Sequence, residues 1–261
     1  MRKVACLGNS HLAALKLGWE KIKVNYPQAE CVFFGAHARA DGRGGLADLV
    51  VEGDSLCAID QGLKDNLSWT SGGRTSIRPA EFDAIVLCAL GLNVLKITDL
   101  IYQYAPERYK MIGARYLISD DFYLEAIDSI LKSTGAYDLV GKILKIENSA
   151  KIFVIPQPMV AQEAERKGTI WYRLMRFELD TLLAKDFSEC INRLFRGKAS
   201  IVEQPSSTLY NGILTRSEFS RGSVRLLPGF SHKHDETDHV HMNETYGVQV
   251  LGTVLEQISG I

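Results

Sequence analysis

Three short segments carry residue types able to make and break an acyl bond. Gly8-Asn9-Ser10-His11 puts a serine on a tight turn between an apolar run and a helical pattern. A helix N-terminus favours developing negative charge, and a hydroxyl at that turn is presented to a ligand. Gly91-Leu92-Asn93 follows the most apolar run of the chain. Its glycine admits close backbone approach, and the asparagine amide is a donor for an oxyanion. Near the C-terminus Asp238 precedes His241 by three residues. One turn closes that separation, so that the carboxylate meets the ring and fixes its tautomer. A serine hydroxyl is a poor nucleophile at neutral pH, and an imidazole held by a carboxylate is the usual remedy. Each segment also has a plainer reading: Asn9 or Ser10 as a helix cap, Asn93 as a turn residue, and Asp-x-x-His as coincidence.

These residues need elements that bring them together. Lys3–Leu7 reads as a buried strand, and Leu12, Leu15, Trp19 and Ile22 then recur at helical spacing. Cys31–Phe34, closed by Gly35, and Asp83–Leu90 are further apolar runs; Lys151–Ile155 is stopped by Pro156-Gln157-Pro158, and Ala199–Val202 precedes Pro205. Five short strands alternating with helical patterns predict an α/β fold with a parallel, doubly wound sheet covered on both faces. Ligands in such sheets sit at the carboxyl ends of the strands, where Ser10 and Asn93 fall. The pattern from Lys96 to about Lys145 is mainly helical, as are Trp171–Phe195 and Glu244–Ile258. The polar stretches Ala38–Gly45 and Ser68–Arg78 read as loops with a small hairpin, and Gln204–Ser223 as a long polar loop. The aromatics Tyr102, Tyr104, Tyr109, Tyr116, Phe122 and Tyr123 are first of all packing residues, with a pocket cover or partner surface as the alternative.

Composition excludes several classes. The 261 residues hold 30 Lys+Arg against 31 Asp+Glu, a net charge of −1, which gives no electrostatic case for nucleic acid or an anionic membrane. At 46% hydrophobic and 23% charged, the chain is an ordinary globular one. No run reaches the length of a membrane span, and the start shows no signal-peptide pattern, so a soluble, cytoplasmic protein is expected. Cys6, Cys31, Cys57, Cys88 and Cys190 have no C-x-x-C spacing, and the first, second and fourth lie in strand-like runs as core residues. Nucleotide binding lacks its glycine motifs.

Ser231-His232-Lys233-His234-Asp235-Glu236-Thr237-Asp238-His239-Val240-His241-Met242-Asn243 holds four of the six histidines, and His232, His234, Asp235, Asp238, His239 and His241 are competent metal ligands. No known ligand spacing appears there, so no metal and no other cofactor is expected. His232 and His234 read as part of a solvated loop, His239 as a bystander, and His11 and His37 as polar residues near strand ends.

In order and context, the serine after the first strand, the Gly-x-Asn after a middle strand and the Asp-x-x-His before the last helix together resemble the SGNH (GDSL-like) hydrolase family, which also includes O-acyltransferases. The resemblance implies a flavodoxin-like three-layer αβα sandwich around about five parallel strands. It implies one domain over 1–261, with a helical insertion around 96–150 and a long polar loop around 204–240. It implies Ser10 as nucleophile, His241 as general base, Asp238 as its orienting partner, and an oxyanion hole from the Ser10 N–H, a glycine and Asn93. For the glycine Gly35 comes first, with Gly42 and Gly72-Gly73 as rivals. Asn9, His11 and Gly91 are candidate substrate contacts. The chain departs from the family pattern in two places: Asn9 stands for the Asp of Gly-Asp-Ser, and Val94 for the Asp of Gly-x-Asn-Asp. The implied activity is a serine esterase on a small acyl ester, O-acetyl groups of a sugar or glycan precursor among the candidates. An O-acyltransferase or a non-catalytic binding module are the alternatives.

Overall fold

The computed structural model describes residues 1–37, 45–230 and 232–259. Five strands form the central sheet: β1 (Arg2–Gly8), β2 (Ala29–Gly35), β3 (Ala84–Cys88), β4 (Lys151–Ile155) and β5 (Ser200–Ile201). All pair in parallel in the order β5-β4-β3-β1-β2. That is the flavodoxin-like order, whose ligand crevice lies where the order reverses, between β1 and β3.

Strand residues alternate between two cores, which is why these runs are apolar without a break. Val4, Cys6, Val86, Cys88, Phe153 and Ile155 face one layer, while Ala5, Leu7, Ile85, Leu87, Ile152 and Val154 face the other. The first layer consists of α1 (Leu12–Ile22) and the last helix of the chain, Glu244–Ser259. On the opposite face lie α2 (Gln61–Ser71), α3 (Leu95–Gln103), α4 (Asp120–Lys132), α5 (Gly135–Ile143), α6 (Ile170–Arg176) and α7 (Asp180–Phe195). The last helix is α8. This is the expected three-layer sandwich.

Several local readings need correction. Helix α2 takes in Ser68–Ser71, part of an expected loop: only Leu63, Leu67 and Thr70 are buried along it, a sparse stripe. Its start is fixed by Asp60, whose Oδ1 accepts the Leu63 N–H at 3.0 Å, and its end by left-handed Gly72. Residues 96–145 are not continuously helical, because Tyr104–Pro106 and Tyr116–Ile118 form a small parallel pair between α3 and α4. The helical pattern over Trp171–Phe195 breaks between α6 and α7 at Glu178, where φ is 55°. Of the six aromatics in this region Tyr109 and Tyr123 are fully buried, and the other four are exposed.

The five cysteines are free, and Cys6, Cys88 and Cys190 are buried. Burial pushes the Cys88 thiol up to about 12, so it is inert. Among the described residues no helix is long and apolar enough to cross a membrane.

Candidate active site

Ser10 and His11 occupy the turn between β1 and α1, where Asn9 Oδ1 accepts the His11 N–H at 3.2 Å and the Asn9 carbonyl accepts the Leu12 N–H at 3.0 Å. His241 stands three residues before α8. Because α1 and α8 pack side by side, the serine and histidine meet although 231 residues separate them: Ser10 Oγ lies 2.8 Å from His241 Nε2.

Asp238 is saturated on both oxygens. Its Oδ1 accepts the backbone N–H groups of Val240 (3.0 Å) and His241 (2.9 Å), while Oδ2 lies 2.8 Å from His241 Nδ1 and 3.1 Å from His234 Nδ1. A carboxylate only accepts, so the His241 ring carries its proton on Nδ1, and its Nε2 lone pair faces the Ser10 hydroxyl. Burial pushes the Asp238 carboxyl up, but hydrogen bonds from the His241 ring and from the two backbone amides outweigh it, holding the group well below the usual carboxylate range.

The rings of His11, His241 and His234 form a stack. His11 lies 4.6 Å from His241 between centroids at 19°, and His234 lies 3.9 Å from it on the other face at 8°. Burial, then the neighbouring His241, pushes His11 down from its ordinary value to about 3; the same two causes lower His234. The flanking rings are therefore neutral near neutral pH. His234 was read as a solvated loop residue, yet only 8% of its side chain is exposed. The available signal was its spacing: His234 precedes Asp238 by four residues, also one turn. His239 is engaged elsewhere, its Nε2 3.1 Å from an Arg166 guanidinium nitrogen. His37 Nε2 is 2.6 Å from the Leu226 carbonyl oxygen.

His234, Asp238 and His241 each offer an atom within 4.8 Å of the others, the spacing of a metal cluster. The His234 and His241 rings stand nearly parallel, however, and His241 Nδ1 is already bonded to Asp238 Oδ2. A tetrahedral ion needs lone pairs that converge. The stacked pair is a poor fit to such an ion.

After β3 the chain makes a left-handed turn at Ala89 (φ 63°), Leu90 (48°) and Gly91 (79°). Such a conformation costs about 1–2 kcal/mol per non-glycine residue and persists only where the surroundings impose it. Here the Ala89 N–H donates to the Ile155 carbonyl, the Ala136 N–H to the Leu90 carbonyl and the Gln157 N–H to the Leu92 carbonyl. Asn93 follows; its Oδ1 accepts the Lys96 N–H at 3.1 Å, and its Nδ2 makes long contacts to Gln157 Oε1 (3.2 Å) and the Gly91 carbonyl (3.4 Å). Val94 is buried where the family pattern has Asp.

The expectation of Gly35 as an oxyanion donor needs correction. Gly35 spends its N–H on Thr70 Oγ1 at 2.9 Å in a buried contact, and a Cβ there would come within 2.6 Å of Leu226 Cδ2. This glycine makes room for a side chain rather than donating to a ligand. Gly72 and Gly73 close α2, with the Gly73 N–H donating to the Ser68 carbonyl. Gly42 lies outside the described residues, as does Ser231. The Ser10 N–H has no protein acceptor among the described residues.

Two hollows border the site. One of about 480 Å³ is polar, with Arg221, Lys233, Asp235, Glu236 and Asp238 in its walls. The other, about 290 Å³, is bounded by Ile155, Gln157, Met159, Phe187, Ile191 and Tyr246.

No family model matches the chain, and no curated protein matches it in sequence. Solved structures do. An extracellular lipase from Streptomyces rimosus superposes with a TM-score of 0.50 at 10% identity, over 99% of this chain and 100% of the other. A phospholipase A1 from Streptomyces albidoflavus gives 0.48 at 10% identity, over 98% of each chain. A GDSL-like lipase from Bacteroides thetaiotaomicron gives 0.39 at 10% identity, over 99% of this chain and 88% of that one. The chain thus shares the three-layer α/β fold of the extracellular lipase. This is the fold that the SGNH (GDSL-like) resemblance implied.

Proposed function

We propose that the chain is a serine esterase that works through an acyl-enzyme on Ser10. The observation that carries this reading is the unbroken line Ser10 Oγ, His241 Nε2, His241 Nδ1, Asp238 Oδ2, with both contacts at 2.8 Å. A non-catalytic binding module would show its sign in a serine and histidine too far apart to meet, and these two meet.

Ser10 Oγ attacks the ester carbonyl carbon as its proton passes to His241 Nε2. Asp238 stabilises the resulting imidazolium through Nδ1–H. The carbonyl oxygen becomes an oxyanion, to which the Ser10 N–H and the Asn93 amide donate; the amide exchanges its long contacts for this one. Collapse expels the alcohol, which takes the proton from His241, and leaves acyl-Ser10. Water then gives a proton to His241 and attacks the acyl carbon, freeing the acid and restoring Ser10. An O-acyltransferase follows the same steps with another hydroxyl in place of water.

The charged walls of the polar hollow support a hydroxylated alcohol portion, such as an O-acetylated sugar, over a lipid. The test is turnover of p-nitrophenyl acetate by wild type, Ser10→Ala and His241→Ala, with fluorophosphonate labelling read by intact mass. The expected result is one label on wild type and none on Ser10→Ala, with turnover lost in both variants. Wild type that neither turns over nor labels would point to a binding module. Products from acetylated sugars, with and without added alcohol, separate hydrolysis from transfer.

A further inference from the structure

The segment 102–122 carries a surface that the serine chemistry does not use. Tyr102, Tyr104, Met111, Tyr116, Leu117 and Phe122 are all exposed, and they make up half of the exposed large apolar side chains among the described residues. Scattered singly, such residues need no account; gathered on one small structure, they mark a contact surface. The Tyr104–Pro106 strand packs against α3 and α4 with Ala105 fully buried, and the Tyr116–Ile118 strand lies outside it. Across the pair the Tyr104 and Tyr116 rings stack at 5.4 Å. Tyr102, in the last turn of α3, and Phe122, in the first turn of α4, flank it. Among the described residues no strand pairs with the outer edge of Tyr116–Ile118. An open edge of that kind is a template for another strand.

We propose that this edge joins two copies of the chain, the Tyr116–Ile118 strand pairing antiparallel with itself about a twofold axis at Leu117. No step of the serine chemistry enters this interface.

Three arguments favour a second copy as the occupant. The first is symmetry. A closed pair of identical chains presents the same surface from both sides, and a strand that meets its own copy about a twofold axis runs antiparallel to it. Leu117 then faces Leu117 of the second copy and Tyr116 faces Ile118, so two small sheets become one of four strands. The second argument is area. With about half of each exposed, the six side chains offer roughly 600 Å², against the ~800 Å² per partner of a standard interface. The third is charge. Arg108 pairs with Asp120 and Lys110 with Glu107, which leaves Arg115 and Asp121 without ionic partners among the described residues. The Arg115 guanidinium stands over the Tyr116 ring at 5.3 Å, and Asp121 adjoins Phe122. Pairing centred on Leu117 sets Arg115 opposite Ser119 of the second copy, two residues from its Asp121, and the twofold axis repeats that match of opposite charges. An anionic lipid surface would instead select a rim of basic residues.

Sedimentation velocity of the full chain from about 0.1 to 100 μM covers the weaker affinities that interfaces of this size show. Wild type should form dimers within that range. Leu117→Asp sets like charges face to face at the axis and should raise the dissociation constant about tenfold or more. Val24→Asp, at an exposed apolar residue outside the segment, should leave it unchanged. Wild type that stays monomeric at the top of the range overturns the proposal, as does a dimer that Leu117→Asp leaves intact.

A cross-link reads the register without relying on a charged variant. A residue paired with its own copy brings the two Cα atoms to about 4.5–5.5 Å, within the span of a disulfide. Mild oxidation of Leu117→Cys should therefore give a covalent dimer. Cys31 and Cys57 are partly exposed, so wild type and Val24→Cys set the background. No more dimer from Leu117→Cys than from these controls overturns the proposal. Flotation with phosphatidylcholine vesicles tests the rival occupant: a monomer that floats with them overturns the proposal and assigns the surface to lipid.

Discussion

Gly18 and Gly247 touch backbone to backbone where α1 crosses α8. A Cβ on Gly18 would lie 2.5 Å from the Gly247 carbonyl carbon, and one on Gly247 would overlap the Ala14 carbonyl. Ser10 stands just before one of these helices and His241 just before the other, so the crossing sets the distance between the two side chains. Gly247→Ala forces the helices apart, an overpacking that costs about 1–3 kcal/mol. Turnover should fall by about 10²-fold, the effect of roughly 1 Å of misplacement. Gly252→Ala on the same helix meets only the Tyr26 hydroxyl at 3.6 Å and should change neither melting temperature nor kcat. Equal effects of the two substitutions would refute the role of the crossing.

The His11 imidazole makes stability depend on pH. The unfolded chain takes a proton near the ordinary value of about 6.5, while the folded ring resists it until about 3. Stability is therefore full above the unfolded value and declines as pH falls between the two, by roughly 1.4 kcal/mol per pH unit for this one proton. His234, shifted in the same direction, adds to the decline, and Asp238 adds its own only below about pH 4. Urea unfolding at pH 7, 6 and 5 should show that slope in wild type and about one proton less in His11→Phe. An unchanged slope would mean that His11 is charged in the native protein.

Asn93 caps α3 through Oδ1 and, in the proposed reaction, also offers Nδ2 to the oxyanion. Asn93→Ser keeps a capping oxygen and loses the amide. The expected result is a loss of about 10²–10³ in kcat with a nearly unchanged melting temperature. A lower melting temperature with intact kcat would reduce Asn93 to its capping role.

Metal dependence follows from the ring stack. Turnover should be unaffected by EDTA, because two stacked, parallel rings make a poor cage for an ion. Activity lost to chelator and regained with zinc would assign His234, Asp238 and His241 to a metal instead.

Much of this molecule was readable from its residues for physical reasons. Strands β1, β3 and β4 are covered on both faces, so their runs are apolar without interruption, and turn-length spacing ties Asp238 to His241. Helix α2 escaped notice because it buries so narrow a stripe. The strand pair at Tyr104–Pro106 and Tyr116–Ile118 is only three residues long on each side, too short to show a period. Gly35 misled because a glycine that admits Leu226 and one that offers its N–H look the same in sequence. His234 was hidden by charged neighbours, and only the fold turns its ring onto His241.

The left-handed turn at Ala89, Leu90 and Gly91 has a consequence in time. The groups that hold it come from Ala136, Ile155 and Gln157, all synthesised after the turn itself. A growing chain that has just completed β3 has nothing to keep those residues left-handed, and they relax to ordinary backbone. The turn can take its shape only once α5 and β4 have emerged, and Ser10 can meet His241 only when residue 241 arrives. Throughout most of its synthesis the polypeptide therefore carries a Ser10 that lacks its histidine contact.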